Sequence, residues 1–272
     1  MTGETGFVND IRFKSYDDYR TFSRSIKQNR YIHTPSVKRF VDAVRQSAKH
    51  RVVDVPQGWE FYRAQKGYRG RSKRRPLSIT RMKPQADRAT EGRVNPKGVP
   101  CLYGARDLAT AVAEVRPAKN EIVTVAVFKA TKNLKVIECL KYHDEIGVTS
   151  LLRAPFVNGR YQYSLEDVEQ DVWTDIDKAF SHPVSQSDDR ADYVPTQVLA
   201  EIFKDEGYDG IFYRSRLSPL GVNVAFFYPR VARVQKSSEL YVVTDIKTVS
   251  EPYEDVEPPT KVSAAARSSE AT

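Results

Sequence analysis

The chain is poor in the residues from which many sites are built. Its 272 residues include two cysteines, Cys101 and Cys139, and four histidines. Two thiols make no disulfide framework, and four scattered imidazoles leave little for a zinc site, so no metal is expected. No window approaches the run of about eighteen apolar residues that a membrane helix needs. The N-terminus, MTGETGFVND, lacks the basic-then-apolar layout of a secretory signal, which points to the cytoplasm and to no membrane partner. The signatures GxGxxG, GxxxxGK[ST], HExxH and GxSxG do not occur, which excludes several common enzyme classes in their usual forms. With 13 glycines and 15 prolines the chain is neither collagen-like nor of low complexity.

What is present suits a globular protein with a substantial core: 40% hydrophobic residues, among them 15 tyrosines, 12 phenylalanines and two tryptophans. The net charge of +8 conceals a division. Residues 1–100 hold 23 basic and 9 acidic residues, whereas the remainder holds 20 and 26. The N-terminal part is therefore expected to meet something anionic, be it nucleic acid, a phosphorylated small molecule or an acidic protein.

Residues 1–55 read as a helical extension. Ser15 can cap a turn with Asp18, and Thr34-Pro35 opens a helix with proline at its first position. Val37, Phe40, Val41 and Val44 then recur at helical spacing and give one apolar face. From Trp59 the pattern changes to short β-type runs, at 59–62, 99–103, 122–128, 134–137, 210–213, 222–228 and 240–246. Helical stretches lie between them at 107–115, 164–180 and 196–206. The alternation is too irregular for a wound parallel sheet, so the class is α+β, with a mostly antiparallel or split sheet and flanking helices. Residues 56–250 form the main domain, and 251–272, rich in Pro, Ser, Ala and Glu, read as a disordered tail.

Two groups of residues could carry chemistry. The run Lys66 to Lys83 holds eight positive charges and no acidic residue, with Tyr68 as its one aromatic. It reads equally as a funnel for polyanions and as a solvated loop. The second group is Arg63, Arg93, Tyr103 and Glu114. Two arginines on neighbouring elements could clamp a pyrophosphate through their planar donor forks. Glu114 stands among small and apolar neighbours, from Leu108 to Val115, so its carboxylate is expected to be partly buried, held by a function or by a salt bridge to Arg116 or to a basic residue across the sheet. A nucleic-acid-binding module ranks last, because it has no use for the Tyr103 and Glu114 arrangement.

The segments 61–63 (FYR), 92–100 (GRVNPKGVP), 102–105 (LYGA), 113–117 (AEVRP) and 207–215 (GYDGIFYRS) resemble, in order, the motifs of the RES domain. Arg63, Glu114 and Ser215 match the arginine, glutamate and serine that name that family, over residues from about 56 to 236. Val94 and Gly104 stand where many relatives carry bulkier residues. The resemblance implies a fold related to ADP-ribosyltransferases and an enzyme that breaks the nicotinamide–ribose bond of NAD, its substrate. Members include NAD-degrading toxins held by antitoxin proteins, with water, phosphate or a protein as acceptor of the ADP-ribose. On that reading Glu114 stabilises the oxocarbenium-like ribose or holds a ribose hydroxyl, Arg63 and Arg93 hold the pyrophosphate, and Tyr103 stacks on the nicotinamide or fixes its ribose. Ser215 bonds the ribose or orients Glu114, and Asn223 lines the pocket. Tyr193, Thr196 and Gln197 are candidates for supporting contacts. Ser215 has no histidine beside it in the sequence, which argues against a serine nucleophile.

Overall fold

The computed structural model describes residues 11–29, 34–140, 156–157, 160–161, 164–181, 190–235 and 238–246. The expected tail at 251–272 lies outside the described residues. Local chemistry explains the first two helices. α1 (Asp18–Asn29) begins where the Asp18 carboxylate accepts the amides of Lys14 and Ser15. α2 (Pro35–Ala48) starts on Thr34, whose hydroxyl accepts the Val37 amide, with Pro35 at the first position. Val37, Phe40, Val41 and Val44 are all buried, as their spacing predicts.

The strands are β1 (Val52–Val55), β2 (Glu60–Lys66), β3 (Leu102–Ala105), β4 (Ile122–Ala130), β5 (Leu134–Glu138), the short pair β6 (Phe156–Val157) and β7 (Arg160–Tyr161), then β8 (Gly210–Arg214), β9 (Val222–Phe226), β10 (Ala232–Val234) and β11 (Glu239–Val242). Between them lie α3 (Ile79–Met82), α4 (Leu108–Glu114), α5 (Leu165–Ser181) and α6 (Val194–Asp205). Nine strands form one mixed sheet in the order β1-β5-β8-β9-β3-β2-β4-β10, with β11 also on β4. The β5–β8 pair is parallel, and the remaining pairs are antiparallel. The class is thus α+β with flanking helices, around a large mixed sheet. Continuity across its middle is slender, since β2 and β3 share only the pair Tyr62 with Ala105.

Two sequence boundaries shift. Residues 52–55, read as part of the helical extension, form β1, and 232–234 form β10 where no strand is expected. Each is short and takes its identity from its neighbour, β5 for β1 and β4 for β10.

Side chains alternate between the two faces of the sheet. Ile211 and Tyr213 on β8, with Ala225 on β9, join the core shared with α1, α2, α5 and α6. Phe212, Val224 and Phe226 turn the other way, toward Phe61, Met82 and Phe128. The N-terminal helices are bound into the first of these cores, where the Trp173 indole donates to Ser47 Oγ at 3.0 Å and the Arg51 guanidinium lies 4.4 Å over the same ring.

Candidate active site

Where β2 and β3 part, a cleft of about 430 Å³ opens, within the usual range for small-molecule sites. Arg63, Arg93, Tyr103, Glu114 and Asn223 all line it, together with Tyr62, Gln65, Tyr193 and Tyr213. Ser215 joins them through its bond to Glu114. The six residues expected from the sequence therefore meet in one place.

Glu114 reaches the cleft because α4 is short and sharply ended. Asp107 caps it, accepting the Thr110 amide at 2.8 Å and the Thr110 hydroxyl at 2.7 Å. After Glu114 the backbone turns out of the helix, with Arg116 at φ 46 and Pro117 next. Glu114 is the last helical residue, and it is exposed rather than partly buried. The small neighbours misled, because Ala111 packs toward the sheet while Glu114 projects from the final turn into open space. Its expected alternative, a bridge to Arg116, does not form among the described residues; its partners are polar and neutral. Ser215 Oγ and Asn223 Nδ2 each donate to Glu114 Oε1 at 2.7 Å. Both donors converge on one oxygen, so Oε2 keeps its acceptor capacity for a ligand.

Those two donors are firmly placed. Asn223 is 3% exposed and Ser215 4%. Asn223 stands on β9, paired with both Ala105 and Tyr213. Ser215 follows β8, its amide donating to Gly221 O at 2.8 Å and its Oγ accepting the Leu217 amide at 3.1 Å. Arg214 and Arg216 flank it, half-buried and exposed respectively, and neither lines the cleft.

The arginines line the same cleft. Arg63 Nη1 donates to the Tyr103 carbonyl at 2.6 Å, and its buried Nε has no hydrogen-bond partner. Burial, opposed in part by Tyr103 and reinforced by nearby Arg81, pushes its pKa down to about 10, so it stays cationic at neutral pH. Arg93 Nη1 donates to the Phe180 carbonyl at 2.7 Å.

Arg93 rides on a loop that Tyr103 and Gln197 hold in place. The Tyr103 hydroxyl donates to Asn95 Oδ1 at 2.6 Å and accepts the Val94 amide at 3.1 Å. Gln197 Nε2 donates to the carbonyls of Gly92 and Asn95 at 2.9 and 3.1 Å. With its hydroxyl so engaged, Tyr103 offers the cleft its ring rather than a hydrogen bond. Burial, the largest influence, holds both the Tyr103 and Tyr213 phenols well above their ordinary pKa, so they remain neutral. Gly92 is required by this packing, because a Cβ there would lie 2.7 Å from Tyr103 Oη. Gly104 is likewise forced, with a Cβ falling 2.6 Å from the Phe61 ring and 2.7 Å from the Tyr62 carbonyl.

The sequence missed Tyr213 and Tyr62 as cleft residues. Tyr213 lay inside a quoted motif and could have been found by alternation, two residues before Ser215. Tyr193 lines the cleft and Gln197 supports its loop, whereas Thr196 bonds its own turn, to the Tyr193 carbonyl at 3.0 Å. Among the described residues no cluster of His, Cys, Asp and Glu could hold a metal, and no helix is long and apolar enough to cross a membrane.

A comparison with curated proteins found no match. Among solved structures, the chain is similar to a chain of the M. tuberculosis MbcT-MbcA toxin-antitoxin complex. Identity is 14% and the TM-score 0.37, with 74% of this chain and 92% of that one covered. The RES domain family matches residues 60–245, which include every cleft residue named above. That match spans well over half of the chain, and the protein belongs to the RES domain family.

Proposed function

We propose that the protein degrades NAD by cleaving the bond between nicotinamide and ribose, as a glycohydrolase or phosphorylase. The observation that carries this reading is one carboxylate, Glu114, pinned by two buried donors and sharing a cleft with Arg63 and Arg93. The chemistry needs such an arrangement. As the C–N bond breaks, its electron pair passes to the pyridinium nitrogen and neutralises nicotinamide, while positive charge develops on the ribose. A fixed anion lowers the energy of that transition state more than that of the ground state. Glu114 is that anion or holds a ribose hydroxyl through Oε2. Arg63 and Arg93 hold the pyrophosphate, and the Tyr103 ring stacks on the nicotinamide. Water or phosphate then adds to the ribose carbon. Family membership supports the wider context, a cytoplasmic toxin restrained by an antitoxin protein.

The test is chromatography of NAD incubated with the purified protein, with and without phosphate. Nicotinamide release is expected, and Glu114→Gln should lower it by about 10²–10³, the cost of removing one such electrostatic group. An intact NAD peak with the wild-type chain, or full activity in Glu114→Gln, would overturn the proposal. Label from NAD appearing on a protein would replace it with ADP-ribosyl transfer to a macromolecule.

A further inference from the structure

The basic run 66–83 is not consumed by the site described above, and the fold gives it a definite shape. It leaves β2 one residue after Gln65, which lines the cleft. Arg69 and Arg75 pair across a small antiparallel bridge, with amide-to-carbonyl bonds of 2.8 and 2.9 Å in the two directions. Arg69 Nε also donates to the Pro76 carbonyl at 2.9 Å. One side chain on β4 ties both ends of the lobe: Thr124 Oγ1 donates to the Gly67 carbonyl at 2.7 Å and accepts the Leu77 amide at 3.1 Å. Beyond Leu77 the chain is capped by Ser78 into α3, whose Met82 is fully buried. A run that reads from sequence as an unstructured loop is therefore a pinned lobe.

Its cations are held outward without counter-charges. Arg69, Arg71, Lys73, Arg74 and Arg75 are exposed, and among the described residues none of them makes an ion pair; of the run, Lys66 alone does so, with Glu121 at 3.4 Å. Holding like charges together on an ordered scaffold raises the folding free energy unless an anion neutralises them. Beside them Tyr68 is 40% exposed, with the Arg74 guanidinium 5.1 Å from its ring centre. An acidic peptide would use the charges but leave that ring idle. A base stacked on the ring, with guanidinium forks on the flanking phosphates, uses both.

We infer that the Gly67–Arg75 lobe is a docking surface for single-stranded nucleic acid, presented beside the mouth of the cleft. Stacking on Tyr68 and phosphate pairing to Arg71, Lys73 and Arg74 supply the affinity. It is largely indifferent to sequence, since every base has a face to stack and every nucleotide a phosphate. The surface is separate from the NAD chemistry and does not rest on it.

The test is fluorescence anisotropy of labelled 20-nucleotide strands, one RNA and one DNA, with the full chain over a salt series. Binding of one or both is expected to weaken linearly in log salt, with a slope of about −0.7 for each phosphate neutralised. The combined variant R71A/K73A/R74A should flatten that slope by about two and weaken binding at least tenfold at low salt. Tyr68→Ala should weaken binding about fivefold or more without changing the slope, the signature of stacking. Neither variant should melt below the wild type, the triple variant melting somewhat above it as like charges are removed, and both should keep its rate of NAD turnover, so failure here is distinguishable from failure of the proposed activity. Unaltered binding in either variant would overturn the inference. So would polyglutamate of matched charge displacing the strand as well as unlabelled nucleic acid does, which would assign the lobe to an acidic protein.

Discussion

Replacing Arg63 by methionine should make the protein more stable and less able to bind its substrate. Arg63 is half-buried, its Nε fully so, and among the described residues the guanidinium has one carbonyl acceptor, no carboxylate partner and an unpartnered Nε. Burial lowers its proton affinity by somewhat more than a hundredfold, to a pKa of about 10, and each tenfold is worth about 1.4 kcal/mol, so the charge costs the fold about 3 kcal/mol. The direction follows from linkage. A lowered pKa means the protonated form is disfavoured in the folded state, so the cost is fully present below about 10. It is recovered only as the pH climbs through that value toward the ordinary arginine range. Methionine fills a similar volume without charge and forfeits the bond to the Tyr103 carbonyl, about 1 kcal/mol. The net gain is about 2 kcal/mol, or about 4–8 °C in Tm for a domain of this size. Differential scanning calorimetry at pH 7 reads this directly, and the advantage over wild type should hold up to about pH 10 and shrink only above it. Calorimetric titration with ADP-ribose should show binding weakened about 10- to 100-fold, the loss of a charge-assisted phosphate contact. A lower Tm in Arg63→Met would refute the reasoning, because it would mean that the buried charge supports the fold rather than burdening it.

Ser215→Ala and Asn223→Ala should each slow nicotinamide release about tenfold or more. In a Glu114→Gln background neither should slow it further, and steady-state kinetics of that double-mutant cycle separates positioning of Glu114 from direct contact with substrate. Gly92→Ala should lower Tm by several degrees and raise KM, since its Cβ would drive against Tyr103 Oη and shift the loop carrying Arg93; thermal melts and NAD kinetics together check it. Asp107→Ala removes the α4 cap and should cost about 1 kcal/mol in urea denaturation, with a smaller fall in kcat than Glu114→Gln gives.

What could be read from the sequence was what is local. The Val37, Phe40, Val41 and Val44 face and the Thr34-Pro35 start depend on residues within one or two turns, and both are found in the structure. The order of motifs from Phe61 to Ser215 located the residues of the cleft because each motif keeps its own turn and strand. Long-range pairing is another matter. Nothing near Val52–Val55 announces that β5 will run beside it, and nothing in β5 or β8 announces that they pair in parallel. Glu114 shows the limit most sharply: its neighbours are small and apolar, yet only the length of α4 and the position of the sheet decide that it faces open space. The basic run suffered the reverse error, because Thr124, which organises it, lies more than forty residues away.

The Tyr103 hydroxyl has a consequence for how protons travel. Its hydrogen is already given to Asn95, and it accepts the Val94 amide, so this phenol is poorly placed to supply or collect one. Tyr213, kept neutral by burial, is no better a base. Among the residues lining the cleft Glu114 is the single carboxylate, which makes it the group best suited to take the hydrogen shed by an attacking water.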